Sequence, residues 1–248
     1  MVFGQNFQDR GQPSTKTHHS AAALQAAQAI IGAQTRVLSL QNGLGNAARL
    51  AAHVPIERIA IGVTTVPADL AAPGHVRSHG EAYTRMQMAD GHDEPALQQL
   101  ADALQAAGLV CSIDDQVQAA IWSKVAFNAA LNSIAAVSGC TVGQIGALQQ
   151  SRELARGIVR EVLAVARAEG VAVAEQAVLD TLEHALDHHL QHKPSMLQDI
   201  EAGRATEIDA INAEVLRVAR RHNIVSPFTE ALCTLVRLRE GRSQASDA

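Results

Sequence analysis

Aromatic residues are almost missing from this chain: they make up 2% of its 248 residues, while 47% are apolar. A core without large rings has to be filled by aliphatic side chains. The abundant alanine favours helix and lets helices approach closely, so a mostly helical protein is expected. Positive charge is not in excess either: 20 Lys and Arg face 25 Asp and Glu, for a net charge of -5. Without a basic stripe to neutralise phosphates, nucleic acid is excluded as the main partner. No apolar run reaches the roughly 20 residues that span a bilayer. The most apolar stretch, Val125–Val137, is interrupted by Asn128, Asn132 and Ser133. The opening MVFGQNFQDRGQPSTK has no apolar segment of a secretory signal. Cysteine is sparse and unpaired in pattern. Cys111, Cys140 and Cys233 are odd in number, far apart and free of CxxC spacing, and they read as reduced, buried thiols of a cytoplasmic protein. A charged content of 18% sets the chain apart from disordered sequences.

One further absence concerns glycine. A nucleotide-binding α/β sheet normally opens with a strand that runs into a G-x-G-x-x-G turn, and this sequence holds none. Gly43-Leu-Gly45 lacks the third glycine and follows a later strand. Residues 1–14 are polar and read as a disordered leader. An alanine-rich helix is expected over His18–Gly32, then a strand at Arg36–Leu40 and the turn Gln41-Asn-Gly-Leu-Gly-Asn46. A second helix to about His53 and a strand at Ile59–Thr65 follow. This helix–strand alternation indicates a parallel sheet. Val76–His79 and Tyr83–Met88 read as a strand pair around Gly80, Pro95–Ala107 as a helix and Leu109–Ile113 as a short strand.

Beyond Asp114 the periodicity is helical throughout. The expected helices are Asp115–Val137, Val142–Gly170, Ala174–Leu190, Ser195–Ala202, Glu207–His222 and Ser226–Glu240. The organisation that follows is an α/β part over 15–113, an all-α part over 114–242 and a short tail at 243–248.

Two stretches carry chemistry. In Ile121–Val137, Lys124, Asn128 and Asn132 recur at i, i+4 and i+8 on one face of a helix that is otherwise almost wholly apolar. Asparagine competes with helix backbone, so this file reads better as the lining of a buried polar cleft than as helix decoration. A lysine there can act as a general acid with a lowered pKa. The second stretch is Lys193-Pro-Ser-Met-Leu-Gln-Asp-Ile-Glu-Ala-Gly-Arg-Ala-Thr-Glu-Ile-Asp209. Ser195-x-x-Gln198 fits a capping box, Gly203 a left-handed helix end, and Glu207 the start of the following helix, where the dipole favours a carboxylate.

Taken together, Lys124-x3-Asn128-x3-Asn132 and SMLQDIEAGRATEID resemble the ketopantoate reductase signature. Gln41-Asn-Gly-Leu-Gly45, Gly62-Val-Thr-Thr65 and Thr15-Lys-Thr17 are similar to upstream segments of the same family. The resemblance runs from about Thr15 to Glu240. It implies a partial Rossmann-type α/β domain followed by an all-α C-terminal domain like that of 6-phosphogluconate dehydrogenase. It also implies NADPH-dependent reduction of 2-dehydropantoate to (R)-pantoate, on the way to pantothenate and coenzyme A. In the family, the lysine matching Lys124 donates the proton, and residues matching Asn128, Asn132 and Ser195 hold the substrate. The glutamate matching Glu207 organises the lysine and contacts cofactor. Asn42 matches an asparagine between cofactor and substrate, while Lys16 and Ala68 match cofactor contacts. About 70 residues that the family carries ahead of Lys16 have no counterpart here, so the seat for pyrophosphate at a helix N-terminus is missing and NADPH binding is expected to be impaired. The resemblance implies a small 2-keto acid as partner and allows a homodimer. Two other readings stay open: a related 2-keto acid reductase of the same fold, and a non-catalytic remnant whose helical part folds. His184, His188 and His192 at i, i+4, i+8 read as an exposed histidine-rich face rather than a metal site.

Overall fold

The computed structural model describes residues 2–3, 20–27, 29, 31–65, 69–72, 74–77 and 83–246. The chain divides into two compact units, 1–121 and 122–248.

In the first unit the elements run β1 (Val2–Phe3), α1 (Ser20–Ala26), β2 (Val37–Ser39), α2 (Asn46–Ala51), β3 (Ile59–Thr64), β4 (Asp69–Ala72), β5 (His75–Arg77), β6 (Tyr83–Met88), α3 (Pro95–Ala106) and β7 (Val110–Ile113). One sheet has the order β1-β2-β3-β6-β7, and β4 pairs with β5 in a second, two-stranded sheet. Strands β2 and β3 are parallel, as the helix–strand alternation predicts, and β1 also pairs in parallel with β2. β6 runs antiparallel to β3, and β7 parallel to β6. The apolar run of β3 is buried at five consecutive positions, because this central strand is covered on both faces. Leu24, Val37, Leu50, Val54, Ile59, Ile61 and Val117 form one core, and Leu38, Ala60, Met86, Met88, Leu97, Ala101 and Cys111 form another. Gly62 sits where a Cβ would come within 2.5 Å of the Arg85 carbonyl oxygen, so only glycine lets β3 and β6 approach this closely. Glu94 caps α3 by accepting from the Ala96 amide at 3.2 Å, and it also receives Arg36 Nε at 2.5 Å.

Two local expectations are corrected. Val2 and Phe3, expected in an unstructured leader, pair in parallel with Leu38 and Ser39. Tyr83–Met88 joins the main sheet instead of pairing with the neighbouring strand, which is His75–Arg77 and pairs with Asp69–Ala72. Gly80, the expected turn, lies outside the described residues.

The second unit takes up most of α4 (Val117–Ser138), followed by α5 (Val142–Gly146), α6 (Gln149–Ala168), α7 (Glu175–His188), α8 (Ser195–Glu201), α9 (Asn212–Arg221) and α10 (Pro227–Ser246). Its described residues form helices and loops only. The division between units thus falls inside α4, beyond the change of periodicity near residue 114. The single helix expected over Val142–Gly170 is two helices. Thr141 and Gln144 form a capping box that starts α5, and the chain bends at Ala147–Leu148 before α6. Arg152 Nε bonds the Gly146 carbonyl at 2.6 Å and fixes that bend. Gly143 and Gly146 lie so close to the backbone of Leu190 and Leu186 that a Cβ would come within 2.7 Å of it. α6 buries Ala155, Ile158, Val159, Val162, Leu163 and Ala166 along one stripe, the spacing of an amphipathic helix. Each fully buried aliphatic chain such as Ile158 or Leu182 contributes roughly 1.5–3 kcal/mol. The N-terminus of α10 is capped from a distance. Glu161 accepts the amides of Phe228 at 3.0 Å and Thr229 at 2.8 Å. Among the described residues no helix is long and apolar enough to cross a membrane.

Candidate active site

α4 is apolar nearly all round, and Val125, Ala126, Ala129, Ala130 and Leu131 are each at most 2% exposed. The polar file therefore lies inside packed structure. Asn132 is buried, and Lys124 and Asn128 are half-buried. Loss of hydration lowers the Lys124 pKa to about 8, against a smaller opposing pull from the negative charge of Glu207. Desolvation penalises the ammonium, while a nearby carboxylate supports it. The result is a lysine that is charged at neutral pH and surrenders its proton readily.

Two buried neighbours fix the backbone between the asparagines. Ser133 Oγ donates to the Ala129 carbonyl at 2.5 Å, and Asn212 Nδ2 on α9 donates to the same oxygen at 3.1 Å. Asn212 is fully buried, and its Oδ1 has no hydrogen-bond partner among the described residues. The sequence reading missed this residue. Its signal was an asparagine on the buried stripe of α9, beside Val215, Leu216 and Ala219.

Ser195 opens α8 as its first residue, half-buried, and the preceding Pro194 takes the cap position. The expected capping box is not formed: Gln198 Nε2 instead reaches the Lys193 carbonyl at 2.8 Å. Gly203 has φ 65°, as the helix end requires. Asp199, on the buried face of α8, receives Arg204 Nε at 3.1 Å. Glu207 is not in the first turn of a helix, because α9 begins only at Asn212. It stands half-buried in the turn before, where its carbonyl accepts from Ala210 and Ile211, both at 3.0 Å.

In the first unit, Asn42 lies buried in the turn at the carboxyl end of β2. Open α/β sheets bind ligands at this end of their strands. The turn is held by Asn46 Nδ2 on the Gln41 carbonyl at 3.1 Å and by Ser20 Oγ on Gln41 Oε1 at 2.9 Å. Gly43 and Gly45 take φ of 85° and 74°, a conformation open to glycine at little cost. Lys16 and Ala68, the other expected cofactor contacts, lie outside the described residues.

The histidine face is rearranged. α7 ends at His188, so His192 is not on it. His184 instead stacks on His188 at 4.3 Å and meets His189 edge-on at 5.6 Å. Among the described residues no group of three His, Cys, Asp or Glu could hold a metal ion. All three cysteines are free, and Cys140 is half-buried rather than buried.

Comparison with known proteins decides the lineage. The family model described as ketopantoate reductase PanE/ApbA matches residues 14–91, and its C-terminal counterpart matches 116–240. The chain belongs to the ketopantoate reductase family. A 2-dehydropantoate 2-reductase of Streptococcus pyogenes is 34% identical over 91% of this chain and 74% of its own length. A 2-dehydropantoate 2-reductase of Geobacter metallireducens is a structural neighbour with TM-score 0.84 and 33% identity, over 90% of this chain and 74% of that one. A D-mandelate dehydrogenase solved with NADH and anilino(oxo)acetate has TM-score 0.86 and 30% identity, over 92% of this chain and 75% of that one. The chain thus spans about three quarters of these ketopantoate reductases and of the dehydrogenase. The fold expected from the resemblance, a Rossmann-type α/β part followed by a helical part, is the fold these neighbours share, and the family is one of oxidoreductases.

Proposed function

We propose that this chain reduces 2-dehydropantoate (ketopantoate) to (R)-pantoate with NADPH, a step of pantothenate and coenzyme A synthesis. The observation that carries the reading is Lys124: a half-buried lysine whose pKa is about 8, in a polar file on a buried helix, supported by the charge of Glu207. The nicotinamide, when bound, supplies hydride to the keto carbon. Lys124 Nζ then gives a proton to the ketone oxygen as negative charge develops there, and solvent reprotonates the amine. A fixed cation beside a developing alkoxide also stabilises it electrostatically. Asn128, Asn132 and Ser195 hold the hydroxyl and carboxylate of the substrate as neutral donors, so none competes for the transferred proton. Glu207 keeps Lys124 charged and contacts the cofactor.

The residues fit the nicotinamide end of the cofactor. Asn42, in a turn at the carboxyl end of a parallel strand, would hold it there, together with Lys16 and Ala68. No G-x-G-x-x-G lies in these 248 residues, so the residues that would seat the pyrophosphate are not among those named here. A second reading has its own support. The likeness to a D-mandelate dehydrogenase favours a related 2-keto acid reductase with an aryl or branched substrate.

The test is consumption of NADPH and of NADH with ketopantoate, phenylglyoxylate and branched 2-keto acids. Preference for ketopantoate with NADPH supports the proposal, and turnover of the other acids alone replaces it with the second reading. Absence of NADPH binding by a folded chain would leave a non-catalytic remnant. Sedimentation of the same sample checks the homodimer that we include in the proposal.

A further inference from the structure

The turn that carries Glu207 lies between α8 and α9 and belongs to neither. Two side chains of α10, at i and i+3, hold it from both sides. Glu240 Oε1 accepts the Thr206 amide at 2.7 Å, and Arg237 gives Asp209 Oδ1 two hydrogen bonds, at 2.5 and 3.1 Å. The two anchors differ in weight. Arg237 and Asp209 are exposed, at 54% and 77%, and an exposed pair contributes little. Thr206 is buried at 5% exposure, and its hydroxyl in turn accepts the amide of Ile208, which is 1% exposed. The short, part-buried bond from the Thr206 amide to Glu240 is less open to competition from water than the exposed Arg237–Asp209 pair. Glu240 thus grips the residue immediately before Glu207, and Thr206 passes that grip to the residue immediately after it.

We propose that Glu240 is a positioning residue for the reaction: by holding the Thr206 amide it keeps Glu207 where its charge supports the Lys124 ammonium. This rests on the reading of Lys124 as proton donor. The charged and titratable groups beside the anchor are Arg237 and the Cys233 thiol of α10, with Asp209 and Glu207 of the turn. Glu240 acts here through its acceptor oxygen rather than its charge, so glutamine is the conservative replacement.

Lysine occurs only at positions 16, 124 and 193, so a chain labelled with 13C at lysine Cε gives three signals, and Lys124 is assigned by its loss in Lys124→Met. Following that signal against pH reads the support from Glu207 without substrate. Glu240→Ala is expected to move the midpoint down by about half a pH unit or more, roughly a threefold change in proton affinity. Glu240→Gln is expected to keep the native midpoint. In a Glu207→Gln background, Glu240→Ala is expected to add no further shift. If Glu240→Ala does not fold by circular dichroism, Glu240→Asp, which withdraws the carboxylate by one methylene, takes its place in the comparison. An unchanged midpoint in the folded Ala or Asp variant overturns the proposal, as does a shift in Glu240→Gln equal to that in Glu240→Ala. A shifted midpoint in a chain that reduces no keto acid upholds the linkage from Glu240 to Lys124 and overturns the functional reading alone.

Discussion

Replacing Lys124 by methionine should make the protein more stable while removing its activity. The ammonium is held at a pKa of about 8 against an ordinary 10.5. Each pKa unit corresponds to about 1.4 kcal/mol, so folding the charged lysine costs on the order of 3 kcal/mol, the support of Glu207 already included. Methionine fills a similar volume without that charge, and leaving Glu207 without its cation takes back part of the gain. A net stabilisation of about 1–2 kcal/mol at pH 6.5 is expected. The sign against pH is determined as well. Between about pH 8 and 10.5 the unfolded chain binds more protons at Lys124 than the folded one, so the stability of the native protein rises with pH through this window. The variant lacks this rise, and its advantage should shrink towards pH 10. Urea unfolding of both proteins at several pH values measures the difference directly, since other titrating groups cancel. Equal destabilisation by Lys124→Met at pH 6.5 and pH 10 would refute the claim that Lys124 is a desolvated ammonium.

Glu207→Gln removes a carboxylate charge that raises the lysine pKa, so the alkaline limb of the pH–rate profile should move to lower pH and turnover at pH 8 should fall. Gly62→Ala places a Cβ against the Arg85 carbonyl, and strain of this kind should lower stability by about 2 kcal/mol or more, read by thermal unfolding. Glu161→Ala strips the cap from α10. A loss of about 1–2 kcal/mol in chemical denaturation is expected, with activity per folded molecule retained.

The polar file of the candidate site was legible because its spacing is local. Lys124, Asn128 and Asn132 declare one helix face by periodicity, and Gly203 marks a helix end by its backbone freedom. What depended on distant partners was not legible. Ser195 looks like a cap until Pro194 takes that position and Gln198 turns to Lys193. The apolar stripe runs on through Ala147–Leu148, and only the side chains of Thr141, Gln144 and Arg152 show that the helix breaks there. The pairing of Val2–Phe3 with β2 has almost no local signal, since strand partners are chosen by the sheet. Glu207 seemed to start a helix because the turn that holds it is fixed by Glu240 of α10, 34 residues beyond Thr206.

The central claim is that Lys124 donates the proton during ketopantoate reduction. Its most direct test is the pH dependence of ketopantoate turnover at millimolar NADPH, for the native chain and for Lys124→Met. Turnover should fall as pH rises through about 8, and the variant should lose at least about a hundredfold at neutral pH. A variant that turns over at the native rate, or a native profile flat across pH 8, would contradict it.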